Sequence, residues 1–147
     1  MSWPAEQRSD LIYIAGPSKE IPRCRKAAEY AKALGWTISL PWWELVEEDR
    51  RKGFLNDEDI PHARAREVAT LDLAAIERSR RVVVLCKEQG GLSSGSCGEL
   101  LYAVSLSRWL TPPPLVCIVG NPKHIFASLV PVHATIEEAL LSPKDTR

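Results

Sequence analysis

No excess of either charge is present in this sequence: 19 Lys and Arg are matched by 19 Asp and Glu. A protein that grips the backbone of DNA or RNA needs surplus cations to displace counterions. A nucleic-acid polymer is therefore not expected as partner, and any phosphate bound is a single local group. Long apolar runs are missing too. Nothing approaches the ~20 residues of a bilayer-spanning helix, and the start, Met1-Ser2-Trp3-Pro4-Ala5-Glu6, lacks a basic region followed by an apolar one. The expectation is a cytoplasmic chain with no membrane partner. Cysteine is sparse and unpatterned: Cys24, Cys86, Cys97 and Cys117 form no Cys-x-x-Cys pair and have no His at ligand spacing, which predicts free thiols and no metal site. Cys86 and Cys117 fall in apolar runs, where cysteine acts as a small core hydrophobe; only Cys97, in a Gly/Ser-rich loop, has a claim to chemistry. His62, His124 and His133 stand isolated and receive no role. Finally, no G-x-G-x-x-G follows the first strand, which argues against a dinucleotide cofactor, and no cofactor is expected.

What is present fits one domain over residues 1–147, a length that buries roughly 68% of the surface of its unfolded chain. Three continuous apolar runs, 11–15, 81–86 and 115–119, predict strands buried on both faces, the habit of parallel sheets covered by helices. A fourth strand, 36–40, alternates more and is expected nearer an edge. Helices are predicted at about 21–34, ended by Gly35, at about 62–79, at about 96–109 before Pro112-Pro113-Pro114, and at about 135–141. Such alternation predicts an α/β fold: a doubly wound, Rossmann-like or flavodoxin-like parallel sheet of four to five strands flanked by helices, with right-handed crossovers. With strand order 2-1-3-4 the switch point falls between strands 11–15 and 81–86, and ligands bind beyond the carboxyl ends of strands at such points. Two loops leave it, Gly16-Pro17-Ser18-Lys19 and Lys87 through Ser96. The connection 41–61 is too long for an ordinary loop and reads as a lid or a partly helical insertion.

Glu99 follows the Gly/Ser-rich loop and opens the third helix. Ser96-x-x-Glu99 matches a capping box; a carboxylate in a first helical turn is also held as the anion by the helix dipole, which suits a nucleophile. Asp72 shares four-residue spacing with Val68 and Ile76, beside Ala69 and Leu73, which places it on the inward stripe unless the phase is shifted by one residue and it is solvated. Tyr13 is either plain core or a hydroxyl needing a partner such as a carboxylate. Gly16, Ser18, Ser93, Ser94, Gly95 and Ser96 each suit ordinary turns. Together they form two hydroxyl-rich loops on one crevice, the second leading into a helix N-terminus that suits one phosphate. Trp42 and Trp43 either cover the core or, from a lid, stack on a base.

Three segments carry a resemblance: Tyr13-Ile14-Ala15-Gly16-Pro17-Ser18; Asp72-Leu73 followed by Ile76-Glu77-Arg78-Ser79-Arg80-Arg81-Val82-Val83-Val84; and Ser93 to Leu100, ending Gly98-Glu99-Leu100. In this order and spacing they resemble the nucleoside 2-deoxyribosyltransferase superfamily, which includes the 2′-deoxynucleoside 5′-phosphate N-hydrolases. The resemblance implies that Glu99 is the catalytic glutamate, Asp72 the active-site aspartate, and Tyr13 the tyrosine that hydrogen-bonds the glutamate. It implies a covalent mechanism in which Glu99 attacks C1′ of the sugar as the base leaves. Ser93, six residues before Glu99, matches the phosphate-binding serine of the hydrolases where the transferases carry an acid. Ser18 and Gly95 match further phosphate-loop positions, with Gly16 a substrate-binding candidate in the first of these loops, although Pro17 departs from the hydrolase pattern. In the hydrolases a serine from the neighbouring subunit completes the phosphate site; Ser128 is the candidate, so a homodimer with a shared site is implied. Trp43 is the candidate for base stacking, in a 41–61 segment without a counterpart in the family. The implied activity is hydrolysis of a (deoxy)nucleoside 5′-monophosphate to free base and sugar phosphate, without metal. The alternatives are base exchange on a deoxynucleoside and a nucleotide-binding sensor without turnover.

Overall fold

The computed structural model describes residues 8–141. Strand β1 (Arg8–Ala15) is followed by α1 (Ile21–Ala33), β2 (Thr37–Ile38), α2 (Trp42–Arg51), α3 (His62–Arg78), β3 (Ser79–Leu85), α4 (Ser94–Leu106), β4 (Leu115–Val119), β5 (Val132–His133) and α5 (Ile136–Leu141). All five strands are parallel, in the order β2-β1-β3-β4-β5. The order reverses between β1 and β3, which is where the apolar runs place the switch point. Helices α3 and α4 pack together on one face and α1 and α5 on the other, giving the doubly wound α/β arrangement.

The continuous runs form the centre because both faces are covered. Leu11 through Ala15 and every residue of β3 are buried. The two edge strands have two residues each; so little free ladder gives few templates for a foreign strand. Shortness also explains why β5 carries no apolar run to read. Two charges are accommodated in β3 by capping distant ends: the Arg81 guanidinium donates from Nη1 to the Ala139 carbonyl at 2.9 Å and lies 5.4 Å from the Trp36 ring centroid, while Arg80 donates to the Pro113 carbonyl at 2.7 Å.

The start of α4 differs from the sequence reading, and the 41–61 connection takes the partly helical form that reading allowed, each for a local reason. Helix α4 starts at Ser94 because Ser93, not Ser96, is its N-cap: the Ser93 hydroxyl oxygen accepts the Ser96 backbone N–H at 3.3 Å. The long connection contains α2, whose indole anchors it. Trp42 Nε1 donates to the Ile14 carbonyl at 2.7 Å, and Trp42 and Trp43 are both buried with their rings edge to face, 5.5 Å apart. The paired tryptophans thus belong to the core.

At the end of β4 the chain turns through Gly120 with φ of +112°, and a Cβ there would lie 2.8 Å from Cys86 Cβ. Both the conformation and the space demand glycine. Gly120→Ala is expected to destabilise the fold by roughly 2–3 kcal/mol, read as a lowered urea midpoint; an unchanged midpoint would show that β4 and its loop yield freely.

Candidate active site

Three elements converge at the switch point. Tyr13, third from the end of β1, is fully buried, and its hydroxyl donates a short hydrogen bond to Glu99 Oε2 on α4. That hydroxyl also faces the Asp72 carboxyl on α3 closely enough to feel its charge, while its single proton goes to Glu99. The meeting follows from the fold: a side chain of β1 pointing to the face covered by α3 and α4 meets both helices. Residue 13 lies 86 positions from residue 99.

The electrostatics are set by burial. Loss of solvent pushes the Glu99 carboxyl from 4.5 to about 7, opposed by the Tyr13 hydrogen bond and reinforced by the nearby charge of Asp72. Burial likewise raises Asp72 from 3.8 to about 6. The two carboxyls raise Tyr13 still further above its ordinary value after burial itself, so the phenol remains a donor. No Lys or Arg lies at ion-pair distance from Glu99 or Asp72 among the described residues. Asp72 Oδ1 is buried without a hydrogen-bond partner, a costly state for a carboxyl unless something else comes to meet it.

These positions correct two expectations. Glu99 is the sixth residue of α4, one turn further in than a capping-box acid, and its carboxylate bonds Tyr13 instead of backbone. Nor does the helix dipole hold it as a ready anion; burial makes it a weaker acid than a free glutamate. Asp72 does lie inward with half-buried Val68 and buried Ile76, whereas Ala69 and Leu73, also assigned to that stripe, are exposed.

The two loops meet beside this cluster. Half-buried Ser18 offers its carbonyl to Arg50 Nη2 of α2 at 2.8 Å, and half-buried Ser93 donates from its hydroxyl to the buried Ser96 hydroxyl at 2.8 Å. Glu20 clasps the loops together: it pairs with Arg23 and accepts the Glu88 backbone N–H at 3.0 Å, while Arg23 Nη1 donates to the Cys86 carbonyl at 3.1 Å. Glu20, Arg23 and Arg50 escaped the sequence reading; the only sign was an acid and a base three residues apart at the start of a helix. Gly16 has a packing reason, because a Cβ would sit 2.7 Å from Cys24 Sγ. Gly95 has none: a Cβ there would meet nothing within 4 Å, although glycine in a helix costs about 1 kcal/mol relative to alanine. The start of α4 therefore faces open space.

Two of the sequence-derived residues stand apart from this cluster. Trp43 lines a groove of about 460 Å³ with Arg25, Trp36 and Pro41, and Tyr13, Asp72 and Glu99 are not among its walls. Ser128 is exposed, its hydroxyl donating to the Ile125 carbonyl at 2.8 Å within the short 3-10 turn Ile125–Leu129. His124, read as isolated, instead faces Cys97. Among the described residues no group of three or more His, Cys, Asp or Glu is placed to hold a metal, and no helix is long and apolar enough to cross a membrane. Comparison of the chain with protein-family models, curated proteins and solved structures gives no match.

Proposed function

We propose that this chain is an enzyme that hydrolyses the N-glycosidic bond of a nucleoside 5′-monophosphate through a glycosyl-Glu99 intermediate. The observation that carries the reading is the convergence of Glu99, Tyr13 and Asp72 from three separate elements onto one hydroxyl beyond the switch point. Two carboxyls raised to about 7 and 6 exchange protons near neutrality, where the form with Glu99 ionised and Asp72 protonated is a populated minority that pairs a nucleophile with an acid–base partner. Ionised Glu99 attacks C1′; the C1′–O bond forms as the C1′–N bond breaks, and the bonding pair leaves with the base, which takes a proton from Asp72. Water then attacks C1′, Asp72 accepts its proton, and the Glu99 carboxylate departs from the sugar phosphate. The Tyr13 hydroxyl keeps the attacking carboxylate oriented and supports its charge. The resemblance to the deoxyribosyltransferase superfamily supports the same roles.

The phosphate is assigned to the start of α4, with Ser93, Gly95 and the Ser18 loop, because the first helical N–H groups lack intrahelical partners and face open space there. A homodimer belongs to the same reading, with Ser128 of a second copy completing the phosphate site; Ser128 is exposed, and Ile125 and Leu129 beside it are exposed apolar side chains. The deciding experiment is base release from a panel of nucleoside 5′-monophosphates and the matching nucleosides. Cleavage of nucleotides alone is expected. Transfer of the sugar to an added base without need of the phosphate would replace the hydrolase by a transferase, and tight nucleotide binding with no base release would replace it by a sensor.

One substitution tests the phosphate assignment without disturbing the helix. Aspartate caps a helix as well as serine does, yet adds a negative charge. Ser93→Asp is expected to weaken nucleotide binding, and with it kcat/KM for nucleotides, by roughly 10–100-fold, the loss of one charge-assisted contact and its replacement by repulsion, while leaving the binding of nucleosides unaffected. An equal loss on both would show that Ser93 does not meet the phosphate.

A further inference from the structure

Away from the Tyr13 hydroxyl, a second pair of reactive side chains meets. Cys97, the fourth residue of α4, places Sγ 3.8 Å from Nε2 of His124, which begins the 3-10 turn after β4. The ring is held from its other side: Nδ1 accepts the Phe126 backbone N–H at 3.2 Å, and the imidazole stacks on the Phe126 ring with centroids 5.3 Å apart and planes 25° apart. A neutral imidazole that accepts at Nδ1 carries its proton on Nε2. An N–H therefore faces the sulfur, where it meets negative charge developing on that atom.

The other three thiols are enclosed. Cys24, Cys86 and Cys117 are buried; burial pushes Cys24 and Cys117 up to about 11 and raises Cys86 as well. Cys97 is half-exposed, and there is room beside it, since a Cβ added at Gly95 or Gly98 would meet nothing within 4 Å. The accessible cysteine is thus the one with an oriented donor, and the surrounding surface leaves space for a bulky group on its sulfur.

We propose that Cys97 and His124 form a thiol–imidazole pair that makes Cys97 a site of reversible mixed-disulfide formation with low-molecular-weight disulfides of the glutathione type. In the exchange the Cys97 sulfur attacks one sulfur of the small disulfide. A new S–S bond forms, the old one breaks, and its electron pair leaves with the second sulfur, which takes up the proton lost by Cys97. Cys97 is oxidised and half of the small disulfide is reduced to a thiol; excess thiol reverses the step.

The test is the rate at which oxidised glutathione adds to each cysteine of the full chain at pH 7.5, read by intact and peptide mass spectrometry. His124→Asn is the main variant, because asparagine still accepts the Phe126 N–H as a cap but supplies no imidazole. Cys97 of the native chain is expected to react about tenfold faster than in His124→Asn, the effect of one hydrogen bond to a charged atom, with no adduct on the other cysteines over the same time. It is also expected to react faster than Cys97 of the wild-type chain unfolded in urea, a comparison that needs no variant. Equal rates in the native protein and in folded His124→Asn, or a native rate at or below that of the unfolded chain, would overturn the pair. Addition first at Cys24, Cys86 or Cys117 would overturn the site.

Discussion

Glu99→Gln is expected to lose base release by roughly 10⁴-fold or more, the scale seen when a covalent nucleophile is removed. Glutamine keeps the shape of the side chain and still accepts the hydroxyl proton of Tyr13, whose bond to Glu99 Oε2 anchors the site. It cannot form the ester to C1′. The variant should therefore bind nucleotide with little change while turning over nothing. Tyr13→Phe provides the contrast: the nucleophile remains and only its orienting donor is lost, so a smaller fall of roughly 10–100-fold in kcat is expected, the range for one hydrogen bond at a reacting carboxylate. If the two residues act as a unit, the double variant is no slower than Glu99→Gln alone. Measurement is straightforward: release of free base, followed by chromatography under single-turnover conditions, for wild type and the three variants. Substantial turnover by Glu99→Gln would remove Glu99 from the chemistry and leave Asp72, whose buried Oδ1 lacks a partner, as the better nucleophile.

The pH dependence follows from the same group. Wild-type kcat/KM needs Glu99 ionised and Asp72 protonated in the same molecule, although Glu99 at about 7 binds its proton more tightly than Asp72 at about 6. The competent form is therefore a minority species most populated between the two values, and a bell-shaped profile is expected with its rising limb near 6 and its falling limb near 7.

Some of this was legible in the residues. An apolar stretch such as Val82 to Cys86 is readable because burial on both faces there is met by apolar side chains alone, and a single glycine after α1, Gly35 with φ of +94°, marks a helix end. Other features depend on contacts that no local pattern encodes. Helix α2 is charged at six of its ten positions, and its inward residues, Trp42, Trp43 and Asp49, are distinguished by what packs on them: Asp49 is buried because Arg64 of α3 donates to it at 3.0 Å. Strand β5 is a strand only because Ile118 and Val119 lie alongside Val132 and His133. Ser93 and Ser96 are equally good caps in isolation; that the Ser93 hydroxyl accepts the Ser96 N–H is a matter of local geometry that the residue types do not display. For the site, spacing brought Asp72 inward, but joining Tyr13 to Glu99 rested on resemblance, since local sequence says nothing of a contact across 86 positions. His124 has no reactive neighbour in sequence; its partner Cys97 lies 27 positions away.

A carboxyl buried for function should weaken the fold that holds it, and the direction can be worked out. Glu99 has a folded-state value of about 7 against 4.5 when exposed, so the native chain binds this proton more tightly than the unfolded chain does. The stabilisation is complete below pH 4.5 and is lost as pH rises through 7. Each tenfold difference in proton affinity is worth about 1.4 kcal/mol, so an ionised Glu99 costs the fold roughly 3 kcal/mol at pH 8. Asp72 acts the same way over a lower window, between 3.8 and about 6. Surface acids such as Glu47 and Glu48, lowered by hydrogen bonds from Arg25 and Lys52, work in the opposite sense but are common to wild type and variant, and cancel in the difference. Glu99→Gln, neutral at every pH, is therefore expected to match wild type in urea unfolding at pH 4.5 and to exceed it by roughly 2–3 kcal/mol at pH 8. A gap that does not change between those pH values would mean that Glu99 titrates as an ordinary surface acid, and the enclosed carboxylate on which the glycosidase reading rests would be lost with it. A gap that opens as expected, in a variant that has lost its turnover, would show that the chain tolerates an unfavourable buried charge at the one position where its chemistry requires an anion.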